Sequence, residues 1–293
     1  MIPRELLREV RRIEAMTTRR VNDSMAGQYH SVFKGRGMDF DEVRPYQEGD
    51  DVRAIDWNVS ARMNDAYVKV FVEERELTLM LLVDMSGSMD FGTRTMFKRD
   101  LAARVAALFG FSAIRNNDRV GVVLFGQKIE KYIPPKKGRN HVLRAIVEVL
   151  GHPLAPGRSD LGEALRFLSK VSRRQAVAVV VSDFMAEGWE RDFRVAHSKH
   201  DLVPVVVADR VEEELPNAGL LAVEDPETGE RVWIDSSSRR VRRAYAKEMH
   251  RRQVRTEREF RRLRVDFARV RTEDDYATAI GALLRQRAGR LRR

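Results

Sequence analysis

The chain of 293 residues contains no cysteine. This absence excludes disulfide bridges, thiol nucleophiles and thiolate metal ligands. No apolar run is long enough to span a bilayer, and the first ten residues contain no apolar segment typical of a secretion signal. We therefore expect a cytoplasmic protein, and any contact with a membrane should be peripheral.

Several motifs of common function classes are also missing. The six histidines are scattered and show no ligand or base pattern. No Gly-x-x-x-x-Gly-Lys-Ser/Thr loop occurs, so we expect that this chain does not hydrolyse ATP. No helix-turn-helix, zinc motif or aromatic stacking platform supports nucleic-acid binding. The sequence predicts no catalytic residues, and we expect the protein not to be an enzyme.

The composition is that of a globular protein with one strongly basic segment. Hydrophobic residues make up 43% and charged residues 33% of the chain. The net charge is +10, and residues 239–264 hold twelve Lys or Arg against three Glu. This segment is predicted to form a helix with an apolar stripe. Its basic face is either a surface for nucleic acid, anionic lipid or an acidic protein, or a solvated face, and we favour the solvated face.

Strands and helices alternate from residue 66 onwards. This alternation predicts an α/β fold, with a doubly wound, mainly parallel sheet covered on both faces. We expect an N-terminal segment over residues 1–75 and the α/β domain over 76–293, with a small β excursion near 211–235. The strand predicted at 66–72 should pair with the strand at 77–84 through the charged turn 73–76.

The most informative run is Leu-Thr-Leu-Met-Leu-Leu-Val-Asp-Met-Ser-Gly-Ser-Met, at residues 77–89. It predicts a buried strand that ends at Asp84, with Ser86 and Ser88 on the following turn. Open α/β sheets bind ligands just outside the carboxyl ends of their strands. One carboxylate and two hydroxyls at alternate positions there can form an oxygen-only site for a hard divalent cation. The alternative is an ordinary polar turn, because Asp and Ser are common turn residues.

This Asp-x-Ser-x-Ser pattern resembles the metal-ion-dependent adhesion site of von Willebrand factor A-type domains. Gly157–Gly162 resembles the second loop of that site, and Val179–Phe184 resembles a later strand that ends in Ser-Asp. The resemblance implies that Ser159 and Asp183 join the first three residues as metal ligands, although Asp160 could serve the second loop instead of Ser159. It also implies that the site recognises proteins, because a client carboxylate can complete the coordination of the ion. The expected ion is Mg²⁺, with Mn²⁺ or Ca²⁺ as alternatives.

A second signature lies ahead of the sheet, within residues 35–62. It reads Gly-Arg-Gly-Met-Asp-Phe-Asp-Glu-Val-Arg-Pro-Tyr, then Gly-Asp-Asp-Val-Arg-Ala-Ile-Asp-Trp, then Ser-Ala-Arg. This pattern resembles the hallmark of bacterial domain-of-unknown-function family fifty-eight (DUF58), in its short form without membrane-spanning helices. The resemblance implies a partnership with a MoxR-type AAA+ ATPase in the maturation of proteins or complexes.

From the residues alone, we interpret the segment 35–62 as a structural cap held by ion pairs and not as a catalytic site. Arg44, Arg53 and Arg62 are expected to pair with Asp39, Asp50 and Asp56, and Trp57 with Ile55 is expected to anchor the segment on the sheet.

For the whole chain, two other functions stay open. One is a metal-dependent hydrolase, which would need a base near the ion. The other is nucleic-acid binding through the basic helix.

Overall fold

The chain divides into two compact units. The computed structural model describes residues 4–21, 25–33, 37–63, 65–74, 76–93, 95–155, 157–224 and 231–291, with only the backbone described at 37–41, 70–74, 224 and 291. The main unit consists of Met1–Phe33 with Thr78–Arg293, and the inserted unit is Lys34–Leu77. This division differs from the expected boundary at residue 75, because the N-terminal helices belong with the sheet.

The described elements alternate as expected through most of the chain. In chain order they are α1 (Arg4–Arg20), α2 (Ala26–Val32), β1 (Gly37–Pro45), α3 (Trp57–Met63), β2 (Tyr67–Glu74), β3 (Thr78–Asp84), α4 (Lys98–Arg115), β4 (Arg119–Phe125), β5 (Ile129–Lys136), α5 (Arg139–Gly151), α6 (Leu161–Val171), β6 (Val177–Ser182), α7 (Glu190–Lys199), β7 (Asp201–Ala208), α8 (Arg210–Glu213), β8 (Leu220–Glu224), β9 (Arg231–Asp235), α9 (Arg239–Arg262), β10 (Ala268–Arg271) and α10 (Tyr276–Leu291). Short 3-10 turns occupy Val52–Ala54 and Gly87–Asp90.

The main unit is built on a six-stranded sheet in the order β10-β7-β6-β3-β4-β5. All neighbours are parallel except β5, which forms an antiparallel hairpin with β4. From β3 the chain runs outward to β4 and β5, and then returns to place β6 on the other side of β3. The carboxyl ends of β3 and β6 therefore lie at a topological switch point, where α/β sheets bind ligands.

Helices cover both faces of this sheet, which confirms the predicted doubly wound α/β fold. Because alternate residues of a strand face opposite sides, Met80 and Leu82 of β3 enter one core while Leu79 and Leu81 face the other layer. The first core includes side chains from α6, α7 and Phe260 of α9. On the opposite face, α4 contacts β3, β4, β6 and β7. The nearly continuous apolar sequence of β3 is typical of a strand buried on both faces.

The two N-terminal helices complete the layer that contains α4. Helix α1 contacts α4 and α5, and α2 contacts α4 and α10. Val10, Ile13 and Tyr29 are buried by these contacts. Helix α1 runs without a break from Arg4 to Arg20.

The inserted unit contains a two-stranded antiparallel sheet of β1 and β2. The predicted pairing of residues 66–72 with 77–84 is therefore wrong. The physical reason is that both edges of β3 are occupied by parallel partners, β4 and β6. A strand that follows a short charged turn had no open edge on β3 to join.

Side chains of the inserted unit follow the expected charge pairing only in part. Arg44 donates two hydrogen bonds to Asp50, each of 2.7 Å. Asp56 pairs with Lys69 at 3.2 Å instead of with an arginine, and the side chain of Asp39 lies outside the described residues. Trp57 is 69% exposed. The expectation that Trp57 anchors this segment is therefore wrong.

The C-terminal region contains the expected β excursion and basic helix. Strands β8 and β9 form an antiparallel hairpin, and α9 begins after its N-cap, Ser238. Several arginines of α9 form exposed ion pairs with glutamates, for example Arg261 with Glu257 at 3.0 Å. Exposed pairs of this kind contribute little to stability. They describe a solvated helix face whose charge is partly balanced within the helix.

Candidate functional site

Asp84 ends β3 and lies at the centre of a hydrogen-bond network. Its carboxylate is fully buried. Oδ1 accepts a hydrogen bond from the backbone N–H of Ser86 at 2.9 Å. Oδ2 accepts hydrogen bonds from the hydroxyls of Ser159 at 2.9 Å and Ser182 at 2.7 Å. One side chain thus connects the loop after β3, the loop before α6 and the end of β6.

The turn after β3 directs its two serines towards the end of β6. The Oγ atoms of Ser86 and Ser88 lie 3.2 Å apart, and Ser88 Oγ donates to Asp183 Oδ2 at 2.7 Å. The backbone of Met85 donates to the carbonyl of Phe125 and accepts from the N–H of Ala155, both at 2.7 Å. These backbone hydrogen bonds hold the turn on both sides.

The second loop contributes Ser159 to the network and uses Asp160 elsewhere. Asp160 is the N-cap of α6, and its Oδ1 accepts the backbone N–H of Glu163 at 2.8 Å. Its Oδ2 lies 3.4 Å from the guanidinium of Arg166. Of the two candidates in this loop, the hydroxyl of Ser159 faces Asp84 and the carboxylate of Asp160 faces the start of the helix.

Asp183 follows β6 and holds three donors. Oδ1 accepts the backbone N–H of Met185 at 3.1 Å, and Oδ2 accepts both Ser88 Oγ and the Nζ of Lys98 at 3.0 Å. The next residue, Phe184, has φ of +55°, a left-handed conformation that is uncommon for residues other than glycine. Strained backbone of this kind clusters at functional sites.

All five predicted site residues therefore lie in one connected network. Two further members were missed by the sequence analysis. Ser182 stands in the quoted Ser-Asp pair, and its hydroxyl contacts Asp84, so the motif itself contained the signal. Lys98, the first residue of α4, bridges Asp183 and Glu212, with 2.7 Å between its Nζ and Glu212 Oε1. Nothing in the local sequence distinguishes Lys98 from a surface lysine.

Burial and charge set the protonation of the two aspartates in opposite directions. Burial, together with the negative charge of Asp183, raises the pKa of Asp84 from 3.8 to about 6. Burial alone would raise the pKa of Asp183 as well, but the positive charge of Lys98 and the hydrogen bonds from Ser88 and Met185 lower it. Burial would lower the pKa of Lys98, and the charges of Asp183 and Glu212 outweigh that effect and raise it.

The donor set fits a hard divalent cation. Two buried carboxylates and three hydroxyls are oxygen ligands of the kind that Mg²⁺ accepts. Burial raises the pKa of Asp84, and a bound cation would favour its ionised form. Within the described residues, no cluster of three or more His, Asp or Glu side chains is placed to hold a metal ion. A cation here would therefore depend on the serine hydroxyls as well as on Asp84 and Asp183.

A groove lies beside the site. Its lining residues include Asp183, Met185 from the β6–α7 loop, and Met249 and Arg252 from α9. The lining is therefore of mixed apolar and charged character.

A third buried aspartate, Asp209, fixes the neighbouring loop. Asp209, after β7, accepts hydrogen bonds from the N–H and hydroxyl of Thr93 at 3.0 and 2.7 Å, and from the hydroxyl of Thr272 at 2.6 Å. Its Oδ1 also accepts the N–H of Val211 at 2.9 Å, at the start of α8. These donors satisfy both oxygens of Asp209. Its role is therefore structural, because it joins the loop before α4 to the ends of β7 and β10.

The strand order and the Asp-x-Ser-x-Ser turn at the switch point define a von Willebrand factor A-like α/β domain. The family model described as "Protein of unknown function DUF58" matches residues 42–255, and the chain belongs to that family. It is 33% identical over 228 residues to an uncharacterized protein of Mycobacterium tuberculosis, covering 77% of this chain and 72% of the relative. It is 29% identical over 187 residues to YeaD of Bacillus subtilis, covering 62% of this chain and 43% of the relative.

Similar solved structures include several proteins of low sequence identity. An aerotolerance-related membrane protein from Bacteroides fragilis has a TM-score of 0.48 at 15% identity and covers 73% of this chain and 99% of its own. The von Willebrand A domain of SpRpn10 has a TM-score of 0.35 at 14% identity, over 46% of this chain and 76% of its own. In this protein, none of the helices among the described residues is long and apolar enough to cross a bilayer.

Proposed function

We propose that this protein is a metal-dependent protein–protein interaction module. The observation that supports it is the hydrogen-bonded convergence of Asp84, Ser88 and Asp183 at the switch point of the sheet. The resemblance of the Asp-x-Ser-x-Ser turn to a metal-ion-dependent adhesion site favours an interaction module over an enzyme. Mg²⁺ is the expected ion, and Mn²⁺ or Ca²⁺ would meet the same oxygen ligands.

The residues of the site would hold the cation and leave room for a client. The ligands we propose are Asp84, Ser86, Ser88, Ser159 and Asp183. A bound cation would supply a positively charged position for a carboxylate of a client protein. The two aspartates balance a divalent charge and the hydroxyls add none, so an acidic client residue would not meet excess negative charge at the ion.

The proposed partner is a MoxR-type AAA+ ATPase, with this chain as its adaptor or co-chaperone in the maturation of proteins or complexes. The support is the family signature at residues 35–62 together with the absence of a nucleotide-binding loop from the sequence. An adaptor without its own motor needs a separate ATPase. This division of labour would leave client recognition to the site at β3 and β6.

The two alternatives have weaker support. A hydrolase would need a general base beside the ion. Among the described residues the hydrogen-bond network of the site holds no histidine, and the neighbouring carboxylate of Glu212 is paired with Lys98 at 2.7 Å. Binding of nucleic acid through α9 would need an open basic surface, and several of its arginines pair with glutamates of the same helix. We therefore place both below the interaction module.

Calorimetry tests the metal dependence directly. Mg²⁺ or Mn²⁺ should bind to one weak site in the full chain, and Asp84→Asn should abolish that binding. Asp160→Asn is the matched control, because Asn caps a helix about as well as Asp and the carboxylate of Asp160 faces away from Asp84. Equal binding by wild type and Asp84→Asn would refute the proposed ligand set.

Co-purification tests the partnership. A cognate AAA+ ATPase should be recovered with the wild-type protein in the presence of ATP. Comparing wild type with Asp84→Asn, each with and without EDTA, separates the two contacts. Loss of the client with retention of the ATPase would locate the motor away from the metal site. Recovery of no AAA+ protein under any of these conditions, with ATP or a non-hydrolysable analogue, would argue against the adaptor role.

A further inference from the structure

Lys98 places a permanent positive charge inside the site. Its side chain is 0% exposed, and its Nζ lies 3.0 Å from Asp183 Oδ2 and 2.7 Å from Glu212 Oε1. Lysine is almost never fully buried unless it is paired. Here the pairing is with one carboxylate of the proposed metal site and with a second carboxylate just outside it.

The ammonium and a divalent cation would compete for the same oxygen. Asp183 Oδ2 already accepts both Ser88 Oγ and Lys98 Nζ, and Oδ1 accepts the N–H of Met185. The carboxylate is thus satisfied without an added ion. Two positive charges on one carboxylate repel each other strongly at these distances in a site of low dielectric constant.

Glu212 holds the ammonium in this position. Its Oε2 accepts the backbone N–H of Asp209 at 3.3 Å, and its carbonyl accepts the hydroxyl of Tyr245 from α9 at 3.0 Å. The residue is therefore fixed through α8 on one side and through the basic helix on the other. The two carboxylates that Lys98 bridges, Asp183 and Glu212, are themselves held by other hydrogen bonds. They therefore fix the position of the Lys98 ammonium.

We propose that Lys98 is the resident counter-charge of this site, which keeps Asp183 in place without a cation and weakens the binding of a divalent cation. The proposal rests on the metal-dependent function proposed above and identifies the residue that sets its affinity. Because the Lys98 ammonium balances the charge of Asp183, the site stays folded when no metal ion is bound. The same ammonium makes metal binding weak until a client carboxylate adds negative charge. Ion and client would then bind cooperatively.

Two charge-removing substitutions should act in opposite directions. Lys98→Met removes the positive charge while keeping a long side chain, and it should tighten Mg²⁺ and Mn²⁺ binding by at least about tenfold. Glu212→Gln removes a negative charge that acts on the site through Lys98, and it should weaken binding by roughly threefold. A purely structural role for the bridge would make both substitutions weaken binding. The opposite signs therefore separate an electrostatic role from damage to the fold.

The experiment titrates the full chain with Mg²⁺ and with Mn²⁺ in a calorimeter at one ionic strength. Lys98→Arg keeps the charge and should bind with nearly wild-type affinity. Lys199→Met is the matched control, because Lys199 donates to the carbonyl of Ser169 at 2.8 Å and ends α7 just before β7 begins, at the opposite end of the sheet. It should leave cation binding unchanged.

Thermal unfolding with and without cation covers the case in which Lys98→Met folds poorly. In EDTA this variant should melt below wild type, because Asp183 and Glu212 lose their shared partner. Added Mg²⁺ should raise its Tm by more than it raises the Tm of wild type. If Lys98→Met does not fold even with Mg²⁺ present, Lys98→Gln carries the test, because it also removes the positive charge and keeps a donor for Asp183 and Glu212. Unchanged or weaker binding by that variant overturns the proposal.

The outcomes distinguish this inference from the proposed function. Unchanged or weaker binding by Lys98→Met, with clear binding by wild type, overturns the role of Lys98 and leaves the metal-dependent function standing. Binding by Lys98→Met alone supports the role of Lys98 and refutes a metal-dependent function for the wild-type chain. Absence of binding in all variants overturns both.

Discussion

The hydroxyl of Ser159 donates to Asp84 Oδ2 across 2.9 Å and joins two loops that are 75 residues apart in the chain. The adjacent carboxylate of Asp160 instead caps helix α6. Neighbouring residues of one loop thus have separate roles, one in the site and one in the scaffold. This separation can be tested by removing each side chain in turn.

Ser159→Ala should weaken Mg²⁺ binding by about tenfold, a typical loss when a metal site loses a supporting group. Asp160→Ala should leave Mg²⁺ binding unchanged and lower the free energy of unfolding by about 1 kcal/mol, because α6 loses its N-cap. Calorimetry and urea unfolding measure the two effects. The reverse pattern would assign the second loop of the site to Asp160.

Asp84→Asn should stabilise the cation-free protein at neutral pH. The pKa of Asp84 is about 6 in the folded protein, above its ordinary value of 3.8. The folded state thus binds the proton more tightly, and this contribution to stability is present below about pH 4 and is lost as the pH rises through 6. The shift corresponds to roughly 3 kcal/mol. The pKa of Asp183 is lowered in the folded protein. Its contribution to stability is therefore lost only as the pH falls below the ordinary pKa of an aspartate, outside the range in which Asp84 acts.

Urea unfolding in EDTA between pH 4.5 and 7.5 measures this effect. Wild type should lose stability through Asp84 across that range, and Asp84→Asn should lack that loss. Asp160→Asn, with the same chemical change on the surface, should follow the wild-type profile. Parallel profiles for wild type and Asp84→Asn would mean that Asp84 stays ionised throughout.

Ser88→Ala should reduce Mg²⁺ binding and cost about 1 kcal/mol of stability, because Asp183 Oδ2 loses one of its two donors. Ser198→Ala is the comparison, since its hydroxyl makes an exposed hydrogen bond to the carbonyl of Val195. That control should change stability by less than about 0.5 kcal/mol. Chemical denaturation and calorimetry on both variants test the expectation. Equal effects in the two variants would remove Ser88 from the site.

The tryptophans should differ sharply in their effect on stability. Trp189 is buried and contacts the rings of Phe184, Phe193 and Phe260, so Trp189→Ala should destabilise the main unit by roughly 3–5 kcal/mol. Trp57 is exposed, so Trp57→Ala should change stability by less than about 0.5 kcal/mol. Differential scanning calorimetry distinguishes the two. A large loss from Trp57→Ala would indicate a buried environment in solution.

The sheet and the grouping of the site residues could be predicted because both depend on local patterns. The apolar runs that became β3 and β6 end in Asp84 and in Ser182-Asp183. Neighbouring parallel strands bring their carboxyl ends together, which is why residues almost a hundred positions apart could be expected to meet. Whether they bind a cation stays a prediction.

The features that sequence reasoning missed depend on distant partners. Lys98 begins a helix, where lysine is normally exposed, and its burial follows from Asp183 and Glu212, which are 85 and 114 positions away. The partner of β2 was misassigned for the same reason. A short turn favours pairing with the next strand, but β3 is already paired on both edges by strands that occur later in the chain.

The contact between α2 and α10 has a consequence for the order in which the protein can fold during synthesis. Arg20, at the end of α1, pairs with Asp275 and lies over the ring of Tyr276, while Arg287 of α10 lies over the ring of Phe33. Helices α1 and α2 therefore complete their packing only after α10 has been synthesised. The pairing of β1 with β2 needs only residues close in sequence, so the strands of the inserted unit can pair early. Until α10 is present, the layer around α4 is incomplete and apolar side chains of that layer stay exposed to solvent.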